Sequence, residues 1–559
     1  MREVKPKKES FSVRVSKKVD DFVGIFWPDK AAKRKAFRKA GKMMDRFGSY
    51  RGAERNRLNK DWFPGGGSAD QDILRELPTL RERSRDLNRN DPHAAGITTT
   101  MTSNIVGTGF NPQSWVDREG VGRSVVEVEK FQKQAERIWQ KWVPFADAAE
   151  VQDFPELLAM INRQILENGE VIVLPLRLKD KNRPYSLALE VIESDRLITP
   201  PSKRGDKRVR DGVEIGERTQ PINYFIRKTH PGDATFLRQS NPEDYATYPA
   251  KNKNGKSNVY HLYWKQRPGQ TRGVPFFTPA MNYFKDLADY LEAEIVAARI
   301  SACFSLFIEK EDAEGAAVIN STSTNSKDQR LEEIEPGMIE YLSPGEKIST
   351  FNPNRPGGSF DPFVNRILRA ISTSLGLPYE LVSKDFSQVN YSSARAALLE
   401  ARKYFRVWQS WLTRRLCQPV YELLIEEAYL RGEIPAPNFY KNQYDWLRTK
   451  WITPGWAWID PLKEVKAAEL AVKNNLSSLS DELAANGKDV DQVLEQRSRE
   501  EKKKKILGLS EEQLDPKKKV EVIDDKKNGA DEVKNNTPGA NVDAPRSQPD
   551  NKDGTKKGE

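Results

Sequence analysis

Several short runs in this chain carry the residue types from which catalytic or ligand-binding sites are built. Gly255-Lys256-Ser257 ends as a phosphate-binding loop ends, but such a loop needs a glycine five positions before Gly255, and Ala250 stands there. The residues ahead of it form a polar Asn/Lys loop rather than a buried strand, so nothing supports an ATPase. Glu190, Glu193 and Asp195 are the best local carboxylates for holding Mg²⁺ in a nuclease. On a strand Glu193 and Asp195 share a face and Glu190 does not, which fits solvated acids at a strand end better than a metal centre. Gly107-Thr108-Gly109 starts like a dinucleotide turn, yet Pro112 occupies the place of its third glycine.

The remaining reactive types are sparse. Cys303 and Cys417 lie in expected helices as small buried hydrophobes, and His93, His230 and His261 have no zinc-ligand spacing. A disulfide framework is excluded, and a reducing cytoplasm fits. No Gly-x-Ser-x-Gly elbow occurs, and no cofactor is expected.

A different kind of working part lies between Leu375 and Phe405. Apolar residues at Phe363, Ile367, Leu368, Ile371 and Leu375 describe a helix that Gly376 can cap and Pro378 must stop. Ser392 or Ser393 can cap a new helix with its stripe at Leu398, Phe405, Trp408, Leu412 and Leu416. The intervening loop, Tyr379 to Tyr391, is too apolar to be an idle linker, and loops of this length in compact regions tend to be functional.

The elements that would position this loop follow from periodicity. Helices are expected over Ile73 to Asn88 with a restart at Pro78, Ala94 to Val106, Val125 to Val143 and Pro155 to Asn168. Val171 to Leu176 and Leu187 to Ile192 read as paired strands, which Ile222 to Arg227 and Val259 to Trp264 continue, giving an α+β domain from about Ile73 to Gln266. A long helix follows from Pro279 to about Phe307, roughly 40 Å at 1.5 Å per residue. Its apolar face includes Leu287, Leu291, Ile295, Ala298 and Ala302, small enough in part for close helix approach. Strand-like pieces at Met338 to Leu342 and Lys347 to Phe351 precede the return helix. After the loop, the new helix runs to about Leu430 with a kink at Pro419. Trp446, Trp451, Trp456 and Trp458 read as packing rather than base stacking, and Leu462 to Asn475, Ser480 to Asn486 and Val490 to Lys505 as short helices. The tail beyond about Leu509 has no aromatic residue and is expected to be disordered.

With 559 residues the chain can bury more than one core, and its net charge of +10 permits contact with nucleic acid. The mean hydropathy of −0.73 and the lack of an apolar run of about 20 residues argue against a membrane span. A surface past which duplex DNA must slide cannot be strongly basic, because each phosphate contact adds salt-dependent affinity.

The run Asp385-Phe386-Ser387-Gln388-Val389-Asn390-Tyr391-Ser392-Ser393-Ala394-Arg395 closely resembles the signature of lambda-type bacteriophage portal proteins. Further blocks stand in the same order as in that family: Ser84 to Asn90 with Ala94-Ala95-Gly96 and Ile105 to Gly109, then Arg267 to Pro275, then Pro454 to Glu464. The similarity spans about Trp62 to about Glu500. It implies a predominantly helical α+β subunit with wing, stem hairpin, clip and helical crown, assembled as a ring homo-oligomer, a dodecamer. The parts would be a basic N-terminal arm (1–72), wing (73–278), stem helices (279–307 and 361–377) around a clip (308–360), tunnel loop (378–392), a long helix with Trp-rich connector (393–460), crown (461–508) and tail (509–559).

The resemblance further implies a non-enzymatic role at a capsid vertex of the virion, assembled in the host cytoplasm. Double-stranded DNA, terminase, major capsid or scaffold protein and head-completion protein would be partners, with no membrane. Lys384, Asp385, Phe386, Ser387, Gln388, Val389 and Asn390 would face DNA, with Lys384 and Asp385 nearly neutralising each other. Leu287, Leu291, Ile295, Ala298 and Ala302 would line the subunit interface, and Arg395, Arg402 and Lys403 would bridge subunits or support the loop. The alternatives are a DNA-processing enzyme, nuclease or packaging ATPase, and a monomeric DNA-binding adaptor.

Overall fold

A computed structural model describes residues 64–233, 242–303, 306–308, 339–341, 358, 360–456 and 459–507. Residues 1–63 of the expected arm, the tail, most of the clip with its Lys347 to Phe351 strand, and Trp458 lie outside them, while a helix at Ala69–Ile73 falls largely in the arm's last residues. The chain divides into two units, Met1–Asp489 and Val490–Glu559.

Helices α1 (Ala69–Ile73), α2 (Leu77–Asn90) and α3 (Pro92–Ile105) open the first unit. Pro78 sits in the first turn of α2, and the Asp91 side chain caps α3 by accepting from Ala94 N, so the proline punctuation sets both starts. Strand β1 (Asn111–Ser114), the short α4 (Arg118–Val121), α5 (Val125–Trp142) and α6 (Phe154–Asn168) follow. Capping boxes, Ser124 with Glu127 and Asp153 with Glu156, begin α5 and α6.

The β region forms two sheets. β2 (Glu170–Arg177) lies between β3 (Leu187–Ile192) and β8 (Tyr260–Tyr263), all antiparallel. β4 (Val209–Arg210), β5 (Val213–Ile215), β6 (Pro221–Arg227) and β7 (Tyr245–Pro249) make an antiparallel meander. The continuous apolar run of β2 reflects burial on both faces. Val171 and Val173 enter the main core, while Ile172 and Leu174 join Val213, Ile215 and Ile226 in a second core between the sheets. Pro175 is tolerated in this central strand because β8 pairs only as far as Val173.

Helix α7 (Met281–Cys303) is shorter than its pattern suggests. Leu306 and Phe307, expected at the end of its last turn, belong instead to strand β9 (Leu306–Ile308), paired in parallel with β10 (Ile339–Tyr341). Its β-branched and aromatic residues suit a strand, and a periodic stripe cannot distinguish the two over three positions.

Helix α8 (Phe360–Leu375), α9 (Tyr379–Ser383) and α10 (Tyr391–Leu412) flank the loop. A π-helical turn, Thr413–Cys417, joins α10 to α11 (Gln418–Leu430). Pro419 has no N–H for the next bond and its ring crowds the preceding turn, so the expected kink becomes a widened turn with Gln418 N–H donating to Thr413 O. Helix α12 (Gln443–Trp446) leads to β11 (Thr449–Ile452), which pairs antiparallel with β1. Helices α13 (Pro461–Lys473) and α14 (Leu479–Ala485) complete the unit. In the second unit the described element is α15 (Val490–Ile506), which has no buried residue.

The main core is assembled from distant segments. Met101 of α3, Phe131 and Trp139 of α5, Leu158 of α6, Phe405 and Leu412 of α10, Tyr421 and Leu424 of α11 and Trp446 of α12 are buried together. The expected domain ending at Gln266 is therefore completed by residues more than a hundred positions later. Trp446, Trp451 and Trp456 pack as expected, and Cys417 is fully buried, which pushes its thiol pKa up. Among the described residues no helix is long and apolar enough to cross a membrane.

Candidate functional site

The candidate loop is shorter and more firmly held than its sequence suggests. Gly376, at φ +69°, ends α8 in the left-handed region, and Leu377 N–H closes back on Ser372 O at 3.0 Å. Pro378 then begins α9, so Tyr379 to Ser383 is a helical turn rather than loop. Val382 is buried, the Tyr379 hydroxyl donates to Asn365 Oδ1 at 2.8 Å, and Arg369 lies over the Tyr379 ring. Irregular chain runs only from Lys384 to Asn390.

Both ends of that segment are tied down. Lys384 has φ +59° and its Nζ donates to Thr100 Oγ1 of α3 at 2.6 Å. Asn390, rather than Ser392 or Ser393, caps α10, its Oδ1 accepting from Ser393 N at 2.8 Å. Asparagine prevails because its side chain reaches the N–H three residues on while its own backbone remains extended. Asp385 accepts from Ser387 N at 2.9 Å, and hydrogen bonds from the Ser387 side chain and backbone lower its pKa. Lys384 and Asp385, expected to nearly neutralise each other in net charge, each hydrogen-bond a different partner. Phe386, 44% exposed, stands outward, with Ser387 and Gln388 exposed beside it and Val389 half-buried.

The stripe on α7 changes character along its length. Leu287 is buried in the chain's own core and Leu291 packs against it, whereas Ile295 is 52% exposed and Ala298 is exposed. The Ala302 side chain lies outside the described residues. Tyr290 stacks on Phe360 and meets Phe363 edge-on, joining α7 to the return helix α8. Of the basic residues on α10, Arg395 reaches Glu464 of α13 at 3.7 Å, Arg402 lies against the Trp456 ring and Lys403 pairs with Glu400. The contacts of Arg395 and Arg402 brace α10 against the following segment, whereas the Lys403–Glu400 pair lies within α10 itself.

The most demanding electrostatic feature was missed by pattern reading. Glu170, at the start of β2, is wholly buried, as is Arg272, whose guanidinium reaches Glu170 Oε1 at 2.6 Å. Arg81 of α2 reaches the same oxygen at 2.6 Å, while His261 and Gly273 N approach Oε2 at 3.0 and 2.6 Å. Burial raises the Glu170 pKa, but Arg272 and then Arg81 overcome it and hold the carboxyl well below the usual carboxylate range. The arginines also donate to carbonyls: Arg81 to Asn168, Arg272 to Ser194 and Leu197. Only the simultaneous occurrence of Glu170 and Arg272 at distant positions could have signalled this knot.

The sequence blocks noted above occupy such structural crossings. In Arg267 to Pro275, Gln270 Oε1 accepts from Gln266 N and Arg267 N, Thr271 engages Asp70, and Gly273 lies so close to Gly169 O that a Cβ would collide. Gly109 and Gly107 press against Pro155 and Pro454, a role in packing rather than phosphate binding. Gln409 donates to Asn104 O, Ile105 O and Pro454 O, joining the first block to the last.

The remaining chemical candidates are also engaged in the fold. Lys256 pairs with Glu426 at 2.6 Å, and Asp195 pairs with Arg85. Glu193 lies 3.4 Å from His230, and Glu190 stands opposite Leu174 in the sheet. Among the described residues no three His, Cys, Asp or Glu side chains are placed to hold a metal ion.

Residues 55–409 match the family model described as phage portal protein, lambda family. The probable portal protein of Halomonas phage phiHAP-1 is 28% identical over 82% of this chain and 88% of its own length. Portal protein B of Escherichia phage lambda is 24% identical over 80% of this chain and 88% of its own. Among solved structures, a chain from the virion of a native gene transfer agent particle covers 74% of this chain and 93% of its own, with 12% identity and a TM-score of 0.36. The family match extends over most of the chain, including α7, α8 and the Lys384–Asn390 segment: the chain belongs to the lambda family of phage portal proteins.

Proposed function

We propose that copies of this chain close into a ring, a dodecamer, at one vertex of a phage capsid, and that duplex DNA passes through the central channel during packaging and ejection. Residues 73–278 and 393–460 form the wing, 279–307 and 361–377 the stem, 308–360 the clip, 378–392 the tunnel loop and 461–508 the crown. Residues 1–72 are a basic arm and 509–559 a tail. Terminase, the major capsid or scaffold protein and head-completion proteins dock on the ring, which acts mechanically and not as an enzyme.

The observation that carries this reading is the family match across the loop and both helices beside it. Two features support the assignment of parts. The apolar stripe of α7 leaves its own core after Leu291 and is exposed at Ile295 and Ala298, a surface that a neighbouring copy would cover. The outward part of the loop, Phe386 to Val389, is uncharged, and the one ammonium at its base is occupied by Thr100. Duplex can slide past such a surface without being held by its phosphates. Negative-stain imaging of the purified protein tests the proposal: closed rings with a central hole are expected, and a strictly monomeric population at high concentration overturns it. Incubation with plasmid, Mg²⁺ and ATP tests the mechanical role, which reproducible cleavage or nucleotide turnover overturns.

A further inference from the structure

The π-helical turn between α10 and α11 does more than accommodate Pro419. It carries Arg414 and Arg415, both exposed, at the meeting point of two concave surfaces. One cavity of about 640 Å³ lies against β8 and includes Tyr263, Lys265, Trp411 and Arg415. The other, about 750 Å³, lies against β11 and includes Trp115, Thr413 and Tyr444. Arg414 and Glu422 line both, so the two adjoin at these side chains, a trough in two parts.

The charges in this trough are unevenly compensated. Lys256 is paired with Glu426, Arg448 with Asp117 and Lys450 with Asp481. Arg414, Arg415 and Lys265 have no carboxylate partner within ion-pair distance among the described residues; Arg414 donates only to the Ser410 carbonyl. Thr413 Oγ1 is enclosed without a hydrogen-bond partner among the same residues. At the β11 end, Trp115 and Tyr444 are 52% and 81% exposed, unusual for rings of this size. Widened turns of this type recur at functional sites.

We propose that the trough docks an extended, acidic segment of a protein partner that carries apolar side chains between its carboxylates. The guanidiniums of Arg414 and Arg415 receive carboxylates in their planar forks, Lys265 receives a third, and Trp115 and Tyr444 cover the apolar side chains. Glu422, in the middle and already accepting from Gln418, takes a backbone N–H. The same carboxylate repels an unbroken row of phosphates, whereas a segment whose acids are spaced by apolar residues can present a backbone N–H there. The surface therefore favours protein over DNA.

Fluorescence polarisation with the full-length protein tests this, using a labelled peptide that alternates Asp and Glu with Leu and Phe. A peptide with Asn and Gln in place of the acids and a short labelled DNA duplex serve as comparisons. The acidic peptide is expected to bind the wild-type protein and Lys133→Glu, a reversal on the exposed face of α5, equally. Binding should weaken about tenfold or more in Arg414→Glu/Arg415→Glu, the change that ~1.4 kcal/mol of lost ion pairing produces. Circular dichroism of that double variant should match wild type, since both side chains are exposed. Absence of acidic-peptide binding, binding unchanged by the double reversal, or preferential duplex binding through the same arginines overturns the proposal.

Discussion

Lys384 Nζ donates to Thr100 Oγ1 at 2.6 Å, joining residues 284 positions apart and fixing the base of the loop to α3. Thr100 turns its hydroxyl back to Gly96 O as well, so α3 supplies a pre-oriented acceptor. The loop is consequently not a free arc from Pro378 to Ser392. It is a short outward segment between a lysine anchor and the Asn390 cap.

Removing the anchor should loosen the loop without unfolding the subunit. In Lys384→Met the stem retains its length but loses the charge-assisted bond, worth about 1.5–3 kcal/mol in protected settings and less at this exposed site. Chymotryptic cleavage after Phe386 should accelerate several-fold while the thermal midpoint barely moves. Equal cleavage rates in the two proteins would show that Thr100 does not restrain the loop.

The buried Glu170 knot makes a prediction with a definite sign in pH. The folded-state pKa of Glu170 lies below its ordinary value of 4.5, so its contribution is fully present above that value and is lost as pH falls through the folded pKa. Glu170→Gln leaves Arg272 and Arg81 facing a neutral amide and should cost about 3–5 kcal/mol near neutral pH. Its thermal midpoint should also fall less steeply with acidification than that of the wild type. Parallel acid limbs would mean that Glu170 is protonated in the native state.

Gly376 and Gly273 separate two reasons for glycine. Gly376→Ala meets only ordinary contact, with Tyr404 at 3.9 Å, but retains φ +69°, a strain of about 1–2 kcal/mol. Gly273→Ala has ordinary φ and no room, because its Cβ meets the Gly169 carbonyl and the Glu170 side chain. Moving two backbone segments apart around a buried carboxylate should cost more, beyond the ~1–3 kcal/mol of common overpacking. Denaturant midpoints of the two variants should fall in that order; the reverse order would place the constraint in the turn and not in the crossing.

Local signals in the sequence proved legible where a short-range cause sets them. The starts expected at Pro78, Ala94, Val125 and Pro155 fall within two residues of those observed, because the prolines and the caps that set them in the structure, Asp91, Ser124 and Asp153, act on neighbours no more than three positions away. The β1–β11 pairing was not legible: Asn111 to Ser114 is short and polar, and its partner lies more than 330 positions later. The same reason hid Glu170 with Arg272 and Lys384 with Thr100. For the loop, residue types marked Tyr379 to Tyr391, of which only Lys384 to Asn390 is irregular, and they did not mark its tethers, which depend on where α3 lies.

Phe386 and Val389 should matter for transport and not for folding. Phe386→Gly/Val389→Gly removes an exposed ring and a half-buried isopropyl group from a segment held independently by Lys384 and Asn390. Rings of the double variant should form in normal yield and package DNA poorly. Lost assembly, with normal packaging for each surviving ring, would assign both side chains to the core.

Ile295 provides the complementary test of assembly. It lies on the same stripe as Leu287 and Leu291 but two turns beyond the residue the core covers completely, and it is 52% exposed in the single chain. An exposed substitution of this kind changes the stability of an isolated subunit by only about 0.5 kcal/mol. If a neighbouring copy covers the stripe, Ile295→Asp places a carboxylate in a dry contact and should be severely unfavourable at every repeat of the ring. Native mass spectrometry should then show folded monomers where wild type gives rings, with unchanged circular dichroism. Rings of Ile295→Asp in wild-type yield would place the subunit contact on another face of α7.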